Sequence, residues 1–98
     1  MSIKFEWDEG KNQANIGKHG VSFETASRIF EGLVITAVDD RHDYGEIREN
    51  SLGMVEGVVI LNVTHTDRKG VTRIISARPA KSSERQIYEQ ALRKATQP

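Results

Sequence analysis

Residues 58–78 read VVILNVTHTDRKGVTRIISAR. Two runs rich in β-branched residues, Val58 to Thr66 and Val71 to Arg78, flank a polar stretch that ends in glycine. Branched side chains suit a pleated, half-buried surface, so both runs predict strands. Arg68-Lys69-Gly70 has the make-up of a three-residue hairpin loop, with glycine in the left-handed last position. That loop places His65 opposite Arg73, Val63 opposite Ile75 and Leu61 opposite Ala77. One face of the hairpin is then Leu61, Val63, Ile75 and Ala77, with His65 and Arg73 at its end. A slip of one residue would move the whole set to the other face.

Upstream, Glu56-Gly57 resembles the two-residue turns made by Asn-Gly and Asp-Gly. Such a turn pairs Val55 with Val58 and puts Arg48 opposite His65. Arg48, His65 and Arg73 then form one row across three strands, with Cβ atoms about 4.5–5.5 Å apart. The first of these strands runs from Ile47 to Met54 and contains Gly53. A further strand is expected over Leu33 to Val38, joined to it by the polar stretch Asp39 to Gly45.

Further toward the N-terminus the apolar period lengthens to that of helices. Asp8 is a good N-cap for a helix ending at Lys18-His19, with Gly20 as its stop. Ser22 caps a second helix, whose apolar face is Phe23, Ala26, Phe30 and Leu33, and Gly32 ends it. Ile3 to Trp7 alternates apolar and charged residues, as a short strand does. Downstream, Pro79 removes a backbone donor and closes the last strand. A helix follows over Ser82 to Ala95, with Ser83 and Gln86 at capping-box spacing. Its apolar stripe is Ile87, Tyr88, Ala91, Leu92 and Ala95, and Glu84 falls inside it. A carboxylate there needs a partner, and Arg78 is the nearest candidate. Arg73 and Arg78 lie about 16 Å apart along one strand, and the pleat points them to opposite faces. The order of elements predicts an α+β fold over residues 1–98: an antiparallel sheet packed with two N-terminal helices and one C-terminal helix.

Composition narrows the function. The chain has 98 residues, with 14 basic and 14 acidic side chains, which argues against a polybasic binder. The balance conceals a split: residues 1–60 carry a net −5 and residues 61–98 a net +5, so a basic face is available. Cysteine is absent, which excludes a disulfide scaffold and thiolate metal sites. The three histidines make a poor zinc cluster, and no cofactor or metal is expected. No apolar run reaches membrane-helix length and no signal peptide is evident, so a cytoplasmic address is expected. His19 reads as a helix terminus. His42, in the acidic stretch Asp39 to Asp43, reads as solvated loop. Phe5 and Trp7 read as core.

Clustered arginines with one histidine suit cleavage of RNA by its own 2′-hydroxyl. That reaction needs a base for the hydroxyl, cations for the nonbridging oxygens and an acid for the leaving 5′-oxygen. His65 would serve as base or acid, with its pKa lowered by the flanking arginines. Arg48 and Arg73 would hold the phosphate.

Several segments together resemble the BrnT family, toxins of bacterial type II toxin–antitoxin systems. They are Phe5-Glu6-Trp7-Asp8, Lys18-His19-Gly20-Val21-Ser22-Phe23, Arg73-Ile74-Ile75-Ser76-Ala77-Arg78, and Glu84-Arg85 with Tyr88. The resemblance implies a RelE-like fold and a ribonuclease that stops translation. It also implies a BrnA-like antitoxin whose ribbon-helix-helix segment binds operator DNA. It assigns Arg73 to the family's strand arginine, Ala77-Arg78 to its Ala-Arg pair and Glu84-Arg85 to its Glu-Arg pair. Arg78, Glu84 and Arg85 are thereby expected to bind RNA or support the site. Pro79 and Lys81 depart from the family pattern. The alternative is a non-catalytic module that binds the antitoxin and acts only in transcriptional autoregulation.

Overall fold

The computed structural model describes residues 3–41 and 45–97. The described chain runs β1 (Phe5–Glu6), α1 (Glu9–His19), α2 (Phe23–Ser27), a 3₁₀ turn (Arg28–Glu31), β2 (Val34–Asp39), β3 (Arg48–Val55), β4 (Val59–Arg68), β5 (Val71–Pro79) and α3 (Ser82–Thr96). The caps are those the sequence predicts. The Asp8 carboxylate accepts from Lys11 N, the Ser22 hydroxyl from Thr25 N, and Gly20 ends α1 with φ 72°. One capping interaction differs. The N-cap of α3 is Lys81, whose N–H donates to Glu84 Oε1 at 2.8 Å, so Glu84 takes the role assigned to Gln86.

The sheet order is β1-β5-β4-β3-β2. The expectation of a purely antiparallel sheet is corrected at one edge: β1 pairs with β5 in parallel. A parallel neighbour needs a long crossover, and everything from α1 to β4 supplies it. The α+β class and the placing of its three helices stand.

Register also differs from expectation, at both hairpins. The β4–β5 loop is the two-residue turn Lys69-Gly70, with φ 54° and 84°, closing on Arg68 and Val71. Both central residues are left-handed, which matches the twist of the flanking strands. At the β3–β4 turn Glu56 and Gly57 are left-handed, but the ladder begins at Val55 and Val59, one residue later than predicted. Each change moves His65 by one position. Its partners are Glu49 and Ile74. Arg73 instead stands opposite Thr66, and one further step along the β3–β4 register brings Arg48 there too. Between His65 and Thr64 the ladder skips Ile75, a β-bulge. The bulge reverses the pleat, so Arg73 and Arg78, opposite Thr66 and Asn62, share one face of the sheet.

The other face is closed by α1, α2 and the 3₁₀ turn. Its core is Phe23, Ala26, Ile29, Leu61, Val63, Ile74 and Ala77, with Phe5, Trp7 and Phe30 packed against it. Two asparagines of α1 lock this layer. Asn15 donates to the carbonyls of Val21 and Ala77 at 2.8 Å, and Asn12 accepts from Phe23 N at 2.8 Å. At Gly53 a β-carbon would lie 2.5 Å from Ile29 Cβ, so glycine there allows the 3₁₀ turn to rest on β3. On the opposite face α3 covers Leu52 and Ile60 with Tyr88 and Leu92. Tyr88 also donates to the Leu33 carbonyl at 2.8 Å. The stripe on α3 is narrower than predicted, since Ile87 and Ala95 are exposed. The rest of this outer face, toward Asp39 and the start of β3, has no helix over it among the described residues.

Candidate nucleic-acid interface

The uncovered part of the outer face is polar because of how its strands alternate. Asn62, Thr64 and Thr66 of β4 point outward between Leu61, Val63 and His65, which point to the helical layer. Asn50, Thr64 and Ser76 are cross-strand neighbours and make a floor. Above it lies a groove of about 350 Å³. Arg78, Lys81 and Glu84 form one wall, at the N-terminus of α3, and Asp39 and Arg41 form the other.

The Arg78 wall is held by a fork-to-fork ion pair. Arg78 Nη1 and Nη2 donate to Glu84 Oε1 and Oε2 at 2.8 and 2.9 Å. Asn62 Nδ2 adds a third donor to Glu84 at 2.8 Å, and Lys81 N–H a fourth. Arg78, helped by these donors, holds the Glu84 carboxyl at a pKa of about 2, against the opposing effect of burial. Glu84 reciprocally raises the pKa of Arg78. The expected Arg78–Glu84 contact is therefore present, with the Glu84 side chain part-buried rather than fully enclosed.

Two further outer-face arginines are paired at the next row. Arg73 Nη1 donates to Glu6 Oε2 at 2.7 Å, and Arg48 Nε lies 3.6 Å from Glu46 Oε1. Thr66, between them in register, donates its hydroxyl to the Ile47 carbonyl at 2.6 Å. The expected row thus exists with Thr66 in the place of His65. Arg85 is exposed on α3 and donates to the Ala80 carbonyl at 3.3 Å, away from the groove lining.

His65 is on the other face. Its ring packs edge-on against Phe30, with centroids 5.2 Å apart, and Nε2 lies 2.7 Å from the Ser51 hydroxyl. Ser51 is fully buried and also bonds the Thr36 hydroxyl at 2.7 Å. Burial lowers the His65 pKa, while Glu49 works against that. The expected cause, flanking arginines, is corrected: they lie across the sheet. His19 is a helix terminus as expected. His42 and Asp43 fall outside the described residues.

Sequence reasoning missed Asp39, Arg41, Lys81 and the uncharged floor. The signal was present in the polar alternation Asn62, Thr64, Thr66, which reads equally as a solvated face until α3 is placed beside it.

Residues 7–84 match the family described as the ribonuclease toxin, BrnT, of type II toxin–antitoxin systems. The fold also matches the crystal structure of the Brucella abortus ribonuclease toxin BrnT. The TM-score is 0.63 at 28% sequence identity, over 83% of this chain and 100% of that one. No curated protein matches the chain. A match that runs from Trp7 through both N-terminal helices and strands β2 to β5 to Glu84 takes in most of the fold and of the groove together, and the chain belongs to the BrnT family of ribonuclease toxins.

Proposed function

We propose that this chain cleaves RNA on the outer face of its sheet, without a metal ion, in the manner of a RelE-like ribonuclease that inhibits translation. The observation that carries the reading is the set of three arginines, from β3 and β5, on one face. Arg48, Arg73 and Arg78 rise beside an uncharged floor, each near a carboxylate, and hydrogen bonds to Glu6 and Glu84 fix the direction of Arg73 and Arg78. RNA would lie across Arg48 and Arg73, above the buried Thr66 that separates them, and enter the groove at Arg78. The 2′-oxygen bonds to phosphorus and the bond to the 5′-oxygen breaks. One proton leaves the 2′-hydroxyl and one arrives on the 5′-oxygen. Guanidinium groups held in place stabilise the charge that gathers on the nonbridging oxygens. Glu84 supports the wall from α3. In this reading His65 is a core residue, since its imidazole is buried on the helical side.

The partner would be a BrnA-like antitoxin with a ribbon-helix-helix segment, through which the complex would reach operator DNA. An acidic, amphipathic segment of it would cover the basic face and α3, occluding the groove. The setting would be the cytoplasm.

The test is incubation of the purified chain with RNA, with and without a chelator. The expected products end in 2′,3′-cyclic phosphate, and the chelator leaves the rate unchanged. Intact RNA, together with normal growth on induction without the antitoxin, would leave the non-catalytic antitoxin-binding module as the function.

A further inference from the structure

The wall opposite Arg78 repeats its construction from unrelated elements. Arg41 Nε and Nη2 donate to Asp39 Oδ1 and Oδ2, both at 2.8 Å. Asn50 adds an amide donor to Asp39 and accepts from the Thr64 hydroxyl at 2.6 Å. Arg41, helped by Asn50, holds the Asp39 carboxyl far below the usual range. Each wall is therefore an asparagine, a carboxylate and an arginine in series: Asn50, Asp39, Arg41 on one side and Asn62, Glu84, Arg78 on the other. The two guanidiniums sense each other across the floor, since the charge of Arg41 opposes that of Arg78.

We propose that Arg41 and Arg78 form a clamp for a single phosphodiester group, with Asp39 and Glu84 as the positioning residues behind them. This rests on the RNA reading above and names the second half of the site. Charge counting alone does not favour an anion, because Asp39, Asp40 and Glu84 balance Arg41, Arg78 and Lys81 around the groove. Exposure decides it. The Asp39 and Glu84 side chains are 1% and 21% exposed, while those of Arg41 and Arg78 are 69% and 31% exposed. The carboxylates lie behind and the cations in front, so an entering phosphate meets the guanidiniums first. A guanidinium carries five N–H donors, the fork uses two of them, and the fork sets its orientation in advance. The uncharged floor of Thr64 and Ser76 offers hydroxyls to the sugar or base that accompanies the phosphate.

The experiment measures binding of a ten-nucleotide RNA with 2′-O-methyl groups throughout, which cannot be cleaved, beside cleavage of the unmodified RNA. Arg41→Gln and Arg78→Gln should each weaken binding at least tenfold. The double variant should lie within about threefold of the weaker single, because either jaw alone releases the same phosphate. Asp39→Asn should weaken binding in the wild-type background and add nothing in the Arg41→Gln background, whereas a merely structural role would add in both. Thermal unfolding of each variant monitors the fold. If Arg78→Gln does not fold, Arg41→Lys replaces it: loss of the fork should cost affinity even with charge retained. Wild-type affinity in Arg41→Gln, or losses that multiply in the double variant, would overturn the clamp. A wild type that fails to bind the probe would overturn it too. Binding of the probe without cleavage of the unmodified RNA would sink the ribonuclease reading and leave the clamp standing.

Discussion

The two faces of the sheet are built from the same strands and treat polar side chains in opposite ways. On the helical face Ser51 and His65 are enclosed, bonded to each other, with Ser51 also bonded to the Thr36 hydroxyl. On the outer face Arg73, Arg78 and Arg41 each pair with a carboxylate and still reach solvent. A buried polar group must be satisfied inside the fold, and once satisfied it has little left to offer a ligand. An arginine in a one-sided ion pair is oriented and keeps further donors. The difference separates side chains that specify the fold from side chains that can still contact a ligand, and neighbouring residues of one strand, such as Ala77 and Arg78 on β5, fall on opposite sides of it.

The largest expected effect belongs to the outer face. Arg78→Ala should lower RNA cleavage by about 100-fold or more, the scale set by removing one well-aimed donor from a developing oxyanion. Single-turnover cleavage measures it. Retained activity would mean that the outer face is not where RNA reacts, and would erase the contrast between the faces.

Next comes a change on the helical face that should touch stability alone. Gly53→Val places a branched side chain against Ile29, where even a β-carbon would sit 2.5 Å away. Overpacking of this kind costs about 3 kcal/mol, since the 3₁₀ turn must lift from β3. Urea unfolding would register the loss. An unchanged midpoint would show that the helical layer is looser than its contacts indicate.

Local signals made the elements legible and left the faces illegible. Asp8, Ser22, Gly20 and Pro79 mark element ends through rules that act within a few residues, and the structure follows them. The Arg78–Glu84 pair was legible too, because a carboxylate inside an apolar stripe demands a cation nearby. Facing depends on register, and register rests on single residues. Lys69 takes a left-handed conformation that β-carbon-bearing residues seldom adopt, which shortens the expected loop by one. Val58 stays outside the ladder, and Ile75 is skipped by the bulge. These three shifts exchange His65 for Thr66 in the arginine row and bring Arg78 onto the side of Arg73. The Asp39–Arg41 wall was hidden for a different reason: its partner wall comes from the far end of the chain, and no local pattern joins them.

A smaller effect should come from the groove's own scaffold. Glu84→Gln removes the charge that holds Arg78, at a cost of about 2 kcal/mol for a part-buried pair. The pH dependence fixes the sign. The Glu84 carboxyl falls from an ordinary 4.5 to about 2 on folding. Its contribution is full above pH 4.5 and disappears as pH falls toward 2, because the unfolded chain takes up the proton first. Urea unfolding of the wild type and Glu84→Gln should therefore differ at pH 7 and converge in acid. Curves that stay parallel throughout would mean that the pair contributes no net stability.

The smallest effect should be on cleavage by the histidine of the helical face, and it sharpens the contrast most. His65→Gln keeps an amide that can meet the Ser51 hydroxyl without a titrating ring. If His65 only fills the core, cleavage by this variant stays within about threefold of wild type at every pH where both are folded. Stability should carry the signature instead. Burial lowers the His65 pKa, so the folded chain resists a proton that the unfolded chain accepts below about 6.5. The wild type should lose stability as pH falls from 6.5 toward the lowered value, by at most about 1.4 kcal/mol per pH unit. That slope should be absent from His65→Gln. A hundredfold loss of cleavage with wild-type unfolding would return His65 to the reaction, and would require the strand to present its other face to RNA.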